Sequence, residues 1–257
     1  MSVSEILLSI QKLTMQFDGL TAVVNFNCTL RKNEIVGLIG PNGAGKTTVF
    51  NMLTGVYRPT TGEIKFCNEV LNNLKPHNIT SLGIARTFQN IRLFKNLSVI
   101  DNIRLGFHIH MHYGIFSTAL TSPGYLIEEK AITQKSLELL QIFQLETQAQ
   151  TQAKNLPYGA QRRLEILRAL ATGPKILLLD EPAAGLNAGE TEILMETIQK
   201  IRKEFDLTIL LIEHDMRLVM GICERIMVLD HGETIAEGTA KEIQSNPKVI
   251  KAYLGEC

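Results

Sequence analysis

The sequence predicts an α/β fold built around a phosphate-binding loop. Three observations carry that reading. Short apolar runs rich in β-branched residues alternate with helical patterns along most of the chain. Two of these runs, at 176–179 and 208–212, are apolar nearly throughout, as strands covered on both faces of a parallel sheet must be. A third, at 35–39, leads directly into Gly40-Pro41-Asn42-Gly43-Ala44-Gly45-Lys46-Thr47, which fits G-x-x-x-x-G-K-[ST].

The elements follow in order. Within the first thirty residues apolar and polar positions alternate, with Leu8 and Ile10, then Val23, Phe26, Cys28 and Leu30. That period predicts antiparallel strands forming a side sheet. Beyond the loop, Val49, Phe50 and Leu53 share one helix face. From Asn96 to Lys154 there is no convincing strand. Ser98-x-x-Asp101 is a capping-box-like helix start, and Leu137, Leu140, Ile142 and Phe143 make an apolar helical face. This block predicts a helical subdomain inserted into the core. After the buried strands, residues 226–229, the turn Asp230-His231-Gly232 and residues 234–236 read as a hairpin. The expected organisation is one domain over 6–252. Its nucleotide-binding core takes 4–95 and 166–240, its helical subdomain 96–165, and 241–257 form a C-terminal tail.

Composition narrows the function classes. The 257 residues carry 26 Lys+Arg against 26 Asp+Glu, and 45% are hydrophobic. That balance excludes intrinsic disorder and a polybasic nucleic-acid binder, so no nucleic-acid partner is expected. Cys28, Cys67, Cys223 and Cys257 form no C-x-x-C pair, which argues against zinc and suits a reducing compartment. No leader pattern opens the chain, and no apolar run approaches the roughly 20 residues of a membrane helix. The expectation is a cytosolic chain, or one held at a membrane by a partner.

The glycine-rich loop lets backbone N–H groups converge on phosphate oxygens, aided by the helix N-terminus that follows. Lys46 would reach the β- and γ-phosphates, and the Thr47 hydroxyl would ligate Mg²⁺. Asp180-Glu181 ends the apolar run at 176–179. Asp180 could hold Mg²⁺ through water, and Glu181 could polarise an attacking water. The competing reading is a helix-capping acidic pair. His214 follows another apolar strand and stands where a γ-phosphate sensor would, unless it is a structural hydrogen-bonder. No Asn is followed by Lys, so the N-K-x-D reader of guanine is missing.

Further segments complete a known pattern: Thr87-Phe88-Gln89-Asn90, then Leu156-Pro157-Tyr158-Gly159-Ala160-Gln161, then Ala184-Gly185-Leu186-Asn187. In this order they resemble the ATP-binding cassette (ABC) transporter ATPases over nearly the whole chain. The resemblance implies a RecA-like P-loop core with an antiparallel β side sheet and an inserted helical subdomain. It implies ATP and Mg²⁺, with Lys46, Gln89, Glu181 and His214 as the catalytic set. Phe17 would stack on adenine. Gly40, Pro41, Asn42, Gly43, Ala44, Gly45, Lys46, Thr47 and Thr48 would hold the phosphates. Thr47, Gln89 and Asp180 would surround the metal. Residues 156–161 would be the signature, with Tyr158, Gly159 and Ala160 binding nucleotide, and 184–187 the D-loop.

Finer strings look like the Liv subgroup, which powers branched-chain amino acid import, and within it the larger of the two ATPases. They are residues 39–51, Arg86-Thr87-Phe88-Gln89, residues 180–187, residues 211–216 and the ending Ala252-Tyr253-Leu254-Gly255-Glu256. A cassette for another cargo, such as a lipid or lipopolysaccharide exporter, is the alternative, since it shares every catalytic residue. The implied partners are transmembrane permease subunits, a second ATPase and, indirectly, a periplasmic or extracellular binding protein. The implied location is peripheral, on the cytoplasmic face of the plasma (inner) membrane.

The signature departs from the family's L-S-G-G-Q. Pro157 stands at the serine and has neither hydroxyl nor N–H. Only the Gly159 and Ala160 amides then remain as anion donors, which favours a heterodimer whose partner supplies the better signature; a homodimer is the alternative. Three other features read as surface. His108, His110 and His112 suit a helix face better than a metal site. Arg162, Arg163 and Arg168 suit a helix surface better than RNA contact. In the resembling family, the neighbourhood of Ile91, Leu93, Phe94 and Leu97 lines the cleft for a permease's coupling helix.

Overall fold

The computed structural model describes residues 5–110 and 123–254. They divide into two compact units, one running up to Gln89 and again from Lys175, the other spanning Asn90–Pro174.

The first unit holds ten strands: β1 (Ile6–Phe17), β2 (Leu20–Arg31), β3 (Ile35–Ile39), β4 (Thr61–Phe66), β5 (Glu69–Val70), β6 (Ile84–Arg86), β7 (Ile176–Asp180), β8 (Thr208–Ile212), β9 (Arg225–Asp230) and β10 (Glu233–Gly238). They make two sheets. The side sheet is antiparallel, in the order β2-β1-β4-β5. The central sheet runs β10-β9-β3-β8-β7-β6, parallel from β9 to β6, with β10 antiparallel at one edge.

Every residue of β3, β7 and β8 is buried, as their unbroken apolar runs require. Alternate residues serve opposite faces. Val36, Leu38, Leu178, Leu210, Ile212 and Met227 join one core with Phe26 and Leu30 of the side sheet and with Val49, Phe50 and Leu53 of helix α1 (Lys46–Leu53). On the other face Gly37 lies close beneath Cys223, where an added Cβ would come 3.1 Å from the sulfur. Helices α2 (Pro76–Leu82), α6 (Ala188–Glu204), α7 (Met216–Ile222), α8 (Ala240–Gln244) and α9 (Pro247–Leu254) belong to the same unit.

The second unit holds α3 (Val99–Phe107), α4 (Pro123–Ile142) and α5 (Tyr158–Leu170). The Ser98 hydroxyl accepts from the Asp101 N–H at 3.1 Å and caps α3, as its spacing predicted. The apolar face of α4 is also there, although Leu140 and Phe143 are buried alongside Ile132, Ser136 and Leu139, while Leu137 and Ile142 are only half-buried.

Two expected boundaries change. The helical unit begins at Asn90 and ends at Pro174, not at 96 and 165. At its start, fully buried Asn102 accepts from the Phe94 N–H at 2.9 Å and donates to the Phe94 carbonyl at 3.1 Å, tying that segment to α3. At its end, α5 is one continuous helix past 165, packed so tightly on α3 that a Cβ at Gly106 would lie 2.6 Å from the Arg168 carbonyl. The expected tail from 241 is helical, holding α9 and all but the first residue of α8. A capping box between Thr239 and Glu242 starts it, and Ile243 and Val249 are buried.

Where β3 meets α1, the chain turns at Gly40 with φ +149°, and a Cβ there would sit 2.0 Å from the Leu229 carbonyl oxygen. Gly40→Ala is therefore expected to destabilise the first unit by at least about 2 kcal/mol, from strain and overpacking together. Thermal unfolding of the purified chain measures this; an unchanged melting temperature would refute the tight fit.

Candidate nucleotide site

The loop after β3 and the start of α1 line a cleft of about 270 Å³. Its lining is residues 42–48 together with Ala22, Gln89, Glu181 and His214. A larger hollow of about 440 Å³, between Tyr57 and Lys75, contains no carboxylate or imidazole. The cleft therefore combines the groups that phosphate chemistry needs.

Lys46 is buried, and its ammonium donates to the Gly40 carbonyl at 2.7 Å and the Pro41 carbonyl at 2.8 Å. Burial pushes its pKa down, while the nearby Glu181 and Asp180 carboxylates pull it up. Two of its three N–H donors hold the loop's own backbone, which fixes the side chain along the cleft floor.

Glu181 follows β7 in the left-handed region, at φ +48°. For a non-glycine residue that conformation is uncommon and costs energy. Its N–H is held by the Ile212 carbonyl at 2.9 Å. The carboxylate is gripped on both oxygens: Gln89 Nε2 donates to Oε2 at 2.8 Å, and His214 Nε2 lies 3.1 Å from Oε1. The structure thus brings three residues from three chain segments into one hydrogen-bonded set at the mouth of the phosphate loop. An acidic pair that merely capped a helix would not be held this way.

Asp180 is buried against Arg86, whose Nη2 donates to Oδ2 at 2.7 Å. This buried ion pair gives Asp180 a structural role different from the helix-capping one that the sequence suggested. Glu213, beside His214, was also missed. It is 3% exposed and accepts from the N–H groups of Ala183, His214 and Asp215 at 2.7, 3.0 and 3.3 Å. Burial pushes its pKa up against those three bonds. One carboxylate thereby pins the backbone of two loops, the one after Glu181 and the one carrying His214. The only sequence signal for it was an acid directly after an apolar strand.

A glycine-rich loop with a lysine, two acids after a buried strand and a histidine after the next are the kinds of group a nucleoside triphosphatase uses. A family model described as ABC transporter matches residues 23–184. The chain belongs to the ABC transporter ATPase family. A second model, described as branched-chain amino acid ATP-binding cassette transporter, matches residues 233–256. The high-affinity branched-chain amino acid transport ATP-binding protein LivG of Salmonella typhimurium is 49% identical over 99% of this chain and 100% of its own length. The lipopolysaccharide export ATP-binding protein LptB of Haemophilus influenzae is 32% identical over 97% and 98%. Among solved structures, the ADP conformation of an ABC transporter's ATP-binding cassette superposes with a TM-score of 0.85, at 28% identity, covering 98% of this chain and 100% of that one. A dimeric post-hydrolysis ATP-binding cassette bound to ADP and Pi gives a TM-score of 0.77 at 26% identity, covering 91% and 98%.

The chain is thus an ABC ATPase of the branched-chain amino acid group, with the fold and reaction that the resemblance implied. Of the remaining expected ABC positions, Phe17 ends β1, is 37% exposed, and meets Tyr57 edge-on with ring centres 5.2 Å apart. It is not part of the cleft lining, but β1 pairs with the strand that carries Ala22. Thr47 and Thr48 line the cleft.

The signature residues belong to the helical unit. Pro157 is the N-cap of α5, and the Pro157 carbonyl accepts from Gln161 N–H at 3.0 Å. The helix therefore starts at Tyr158, so its N–H is a third first-turn donor beside those of Gly159 and Ala160, one more than the sequence reading counted. Arg162 is not on the surface as expected. It is 2% exposed, ion-paired to Glu165 at 3.3 Å and set over the Tyr158 ring at 5.8 Å. Arg168 is half-buried over the Phe94 ring at 5.6 Å. Ile91 and Leu93 are half-buried, while Phe94 and Leu97 are exposed. His108 lies 3.7 Å from Glu129; His112 falls outside the described residues. No described helix is long and apolar enough to cross a membrane.

Proposed function

We propose that this ATPase powers the uptake of branched-chain amino acids, Leu, Ile and Val, through a membrane permease. The observation that carries the cargo is the 49% identity to LivG along the whole of both chains, against 32% to the lipopolysaccharide export protein. The working unit is a pair of ATPases on the cytoplasmic face of the membrane, with two ATP molecules between them. Each site takes the phosphate loop of one subunit and the signature of the other. Because only the triphosphate bridges both halves, ATP closes the pair and hydrolysis releases it.

In that site the loop amides and Lys46 bind the phosphates, and the ring of Phe17 stacks on adenine. Thr47, Asp180 and Gln89 offer only oxygen donors to the metal position, the hard set that suits Mg²⁺. When bound, Mg²⁺ supplies charge neutralisation of the β- and γ-phosphates. Glu181 orients and polarises water, held by Gln89 and His214, and His214 responds to the γ-phosphate. Phe94 and Leu97 offer apolar surface to a permease helix.

Pro157 makes this subunit's signature the weaker one, and a second, non-identical ATPase supplies the better. Pro157→Ser is expected to raise ATP turnover of the assembled complex severalfold, by adding a hydroxyl donor to phosphate. Unchanged turnover would show that the three first-turn amides suffice. Affinity purification from native membranes with mass spectrometry tests the assembly. Two different permeases and a smaller ATPase are expected; a single permease with only self-dimers would overturn the heterodimer. Deleting the gene should abolish high-affinity leucine, isoleucine and valine uptake, and intact uptake would overturn the cargo.

A further inference from the structure

We propose that Arg86 is the positioning residue of the metal site, holding Asp180, Thr47 and Gln89 in register with one another. The proposal deepens the reading of those three as the Mg²⁺ donors, and rests on it. Arg86 ends β6, next to β7, and opens the string Arg86-Thr87-Phe88-Gln89, in which only Gln89 was given a role above. Its guanidinium forks. Nη2 donates to Asp180 Oδ2 at 2.7 Å, while Nη1 donates to Asn51 Oδ1 at 2.7 Å and reaches Thr54 Oγ1 at 3.3 Å. Both ends of the ion pair are almost fully buried, at 5% and 3% exposed. The guanidinium carbon lies 5.4 Å from the Phe50 ring centre and 5.1 Å from that of Phe88.

The geometry does more than neutralise a charge. Asn51 lies on α1 and Thr54 is its C-cap, about one and two turns beyond Thr47, so Nη1 ties the hydroxyl's helix to the aspartate's strand. Phe88, against the guanidinium, immediately precedes Gln89. With Oδ2 engaged, Asp180 keeps Oδ1 for a water of the ion, and its carboxylate is fixed in one orientation. A planar, two-pronged donor is required for this; a lysine carries the same charge but cannot bond both partners in the same fork.

Arg86→Met would leave Asp180 as a buried, unpaired charge and is expected to misfold. The informative variants are Arg86→Lys, which keeps the charge, and Asn51→Ala, which frees the second prong. Binding of a fluorescent, non-hydrolysable ATP analogue to the full chain is measured in EDTA and across a Mg²⁺ titration. For Arg86→Lys the affinity in EDTA should match the parent chain, while the half-saturating Mg²⁺ rises about tenfold or more, the usual cost of removing a residue that orients a metal ligand. Asn51→Ala should move the same midpoint in the same direction by less. A Mg²⁺ curve for Arg86→Lys that superimposes on the parent, or an equal loss with and without Mg²⁺, would overturn the proposal. A parent chain indifferent to Mg²⁺ would instead remove the metal reading of Asp180, and the proposal with it.

Discussion

Glu181→Gln is expected to lower ATP turnover of the assembled transporter by about 10²–10⁴-fold, the contribution of a well-placed base, with little change in nucleotide affinity. The geometry argues for that split. The carboxylate sits at the mouth of the cleft and is held through both oxygens, by Gln89 and by His214, while Lys46 holds the loop floor through different bonds. An amide keeps the size and can still bond one neighbour, but it cannot accept a proton from water. Turnover measured as phosphate release, beside equilibrium binding of an ATP analogue, separates the two effects. Parallel losses in both would mean that Glu181 serves binding, and turnover within tenfold of the parent would exclude it as the base.

The strained backbone at Glu181 fits the same role. Its φ of +48° comes directly after a strand whose residues are all buried. Two neighbours stabilise the turn: the Ile212 carbonyl on the Glu181 N–H, and Glu213, which grips Ala183 two residues further on. Strain concentrated at a reacting group, and held there by surrounding bonds, is where functional residues are commonly found.

Much of this was legible in the sequence, for physical reasons. Strands β3 and β8 could be read to the residue because parallel strands buried on both faces must be continuously apolar. The phosphate loop was legible because backbone convergence on phosphate demands glycine at fixed spacings. By contrast, β5 and β6 are two and three residues long and carry no period to detect. Pairing across long separations also leaves no local trace. Arg86 and Asp180 are 94 residues apart, and Glu213 and Ala183 are 30 apart. Nothing near either member announces the other. Arg162 was misplaced for a related reason: a cation on a helix suggests solvent, until Glu165 and the Tyr158 ring are seen to enclose it.

Lys46→Ala should weaken ATP binding by about one to two decades. A charge-assisted hydrogen bond is worth roughly 1.5–3 kcal/mol, and the one N–H of Lys46 left for phosphate by its two carbonyl bonds corresponds to about 10–10²-fold in affinity. The fold should suffer far less, because two effects on stability oppose each other. The Gly40 and Pro41 carbonyls lose their donor, which costs energy, while a buried ammonium whose pKa is already pushed down by desolvation is removed, which recovers some. The melting temperature is therefore expected to move by only a few degrees while the nucleotide Kd rises about tenfold or more. Equilibrium binding and thermal unfolding of the same preparation test both halves. A Kd within threefold of the parent would mean that the loop amides alone hold the phosphates. A collapse in stability would mean that Lys46 works chiefly as the internal tie of its own loop.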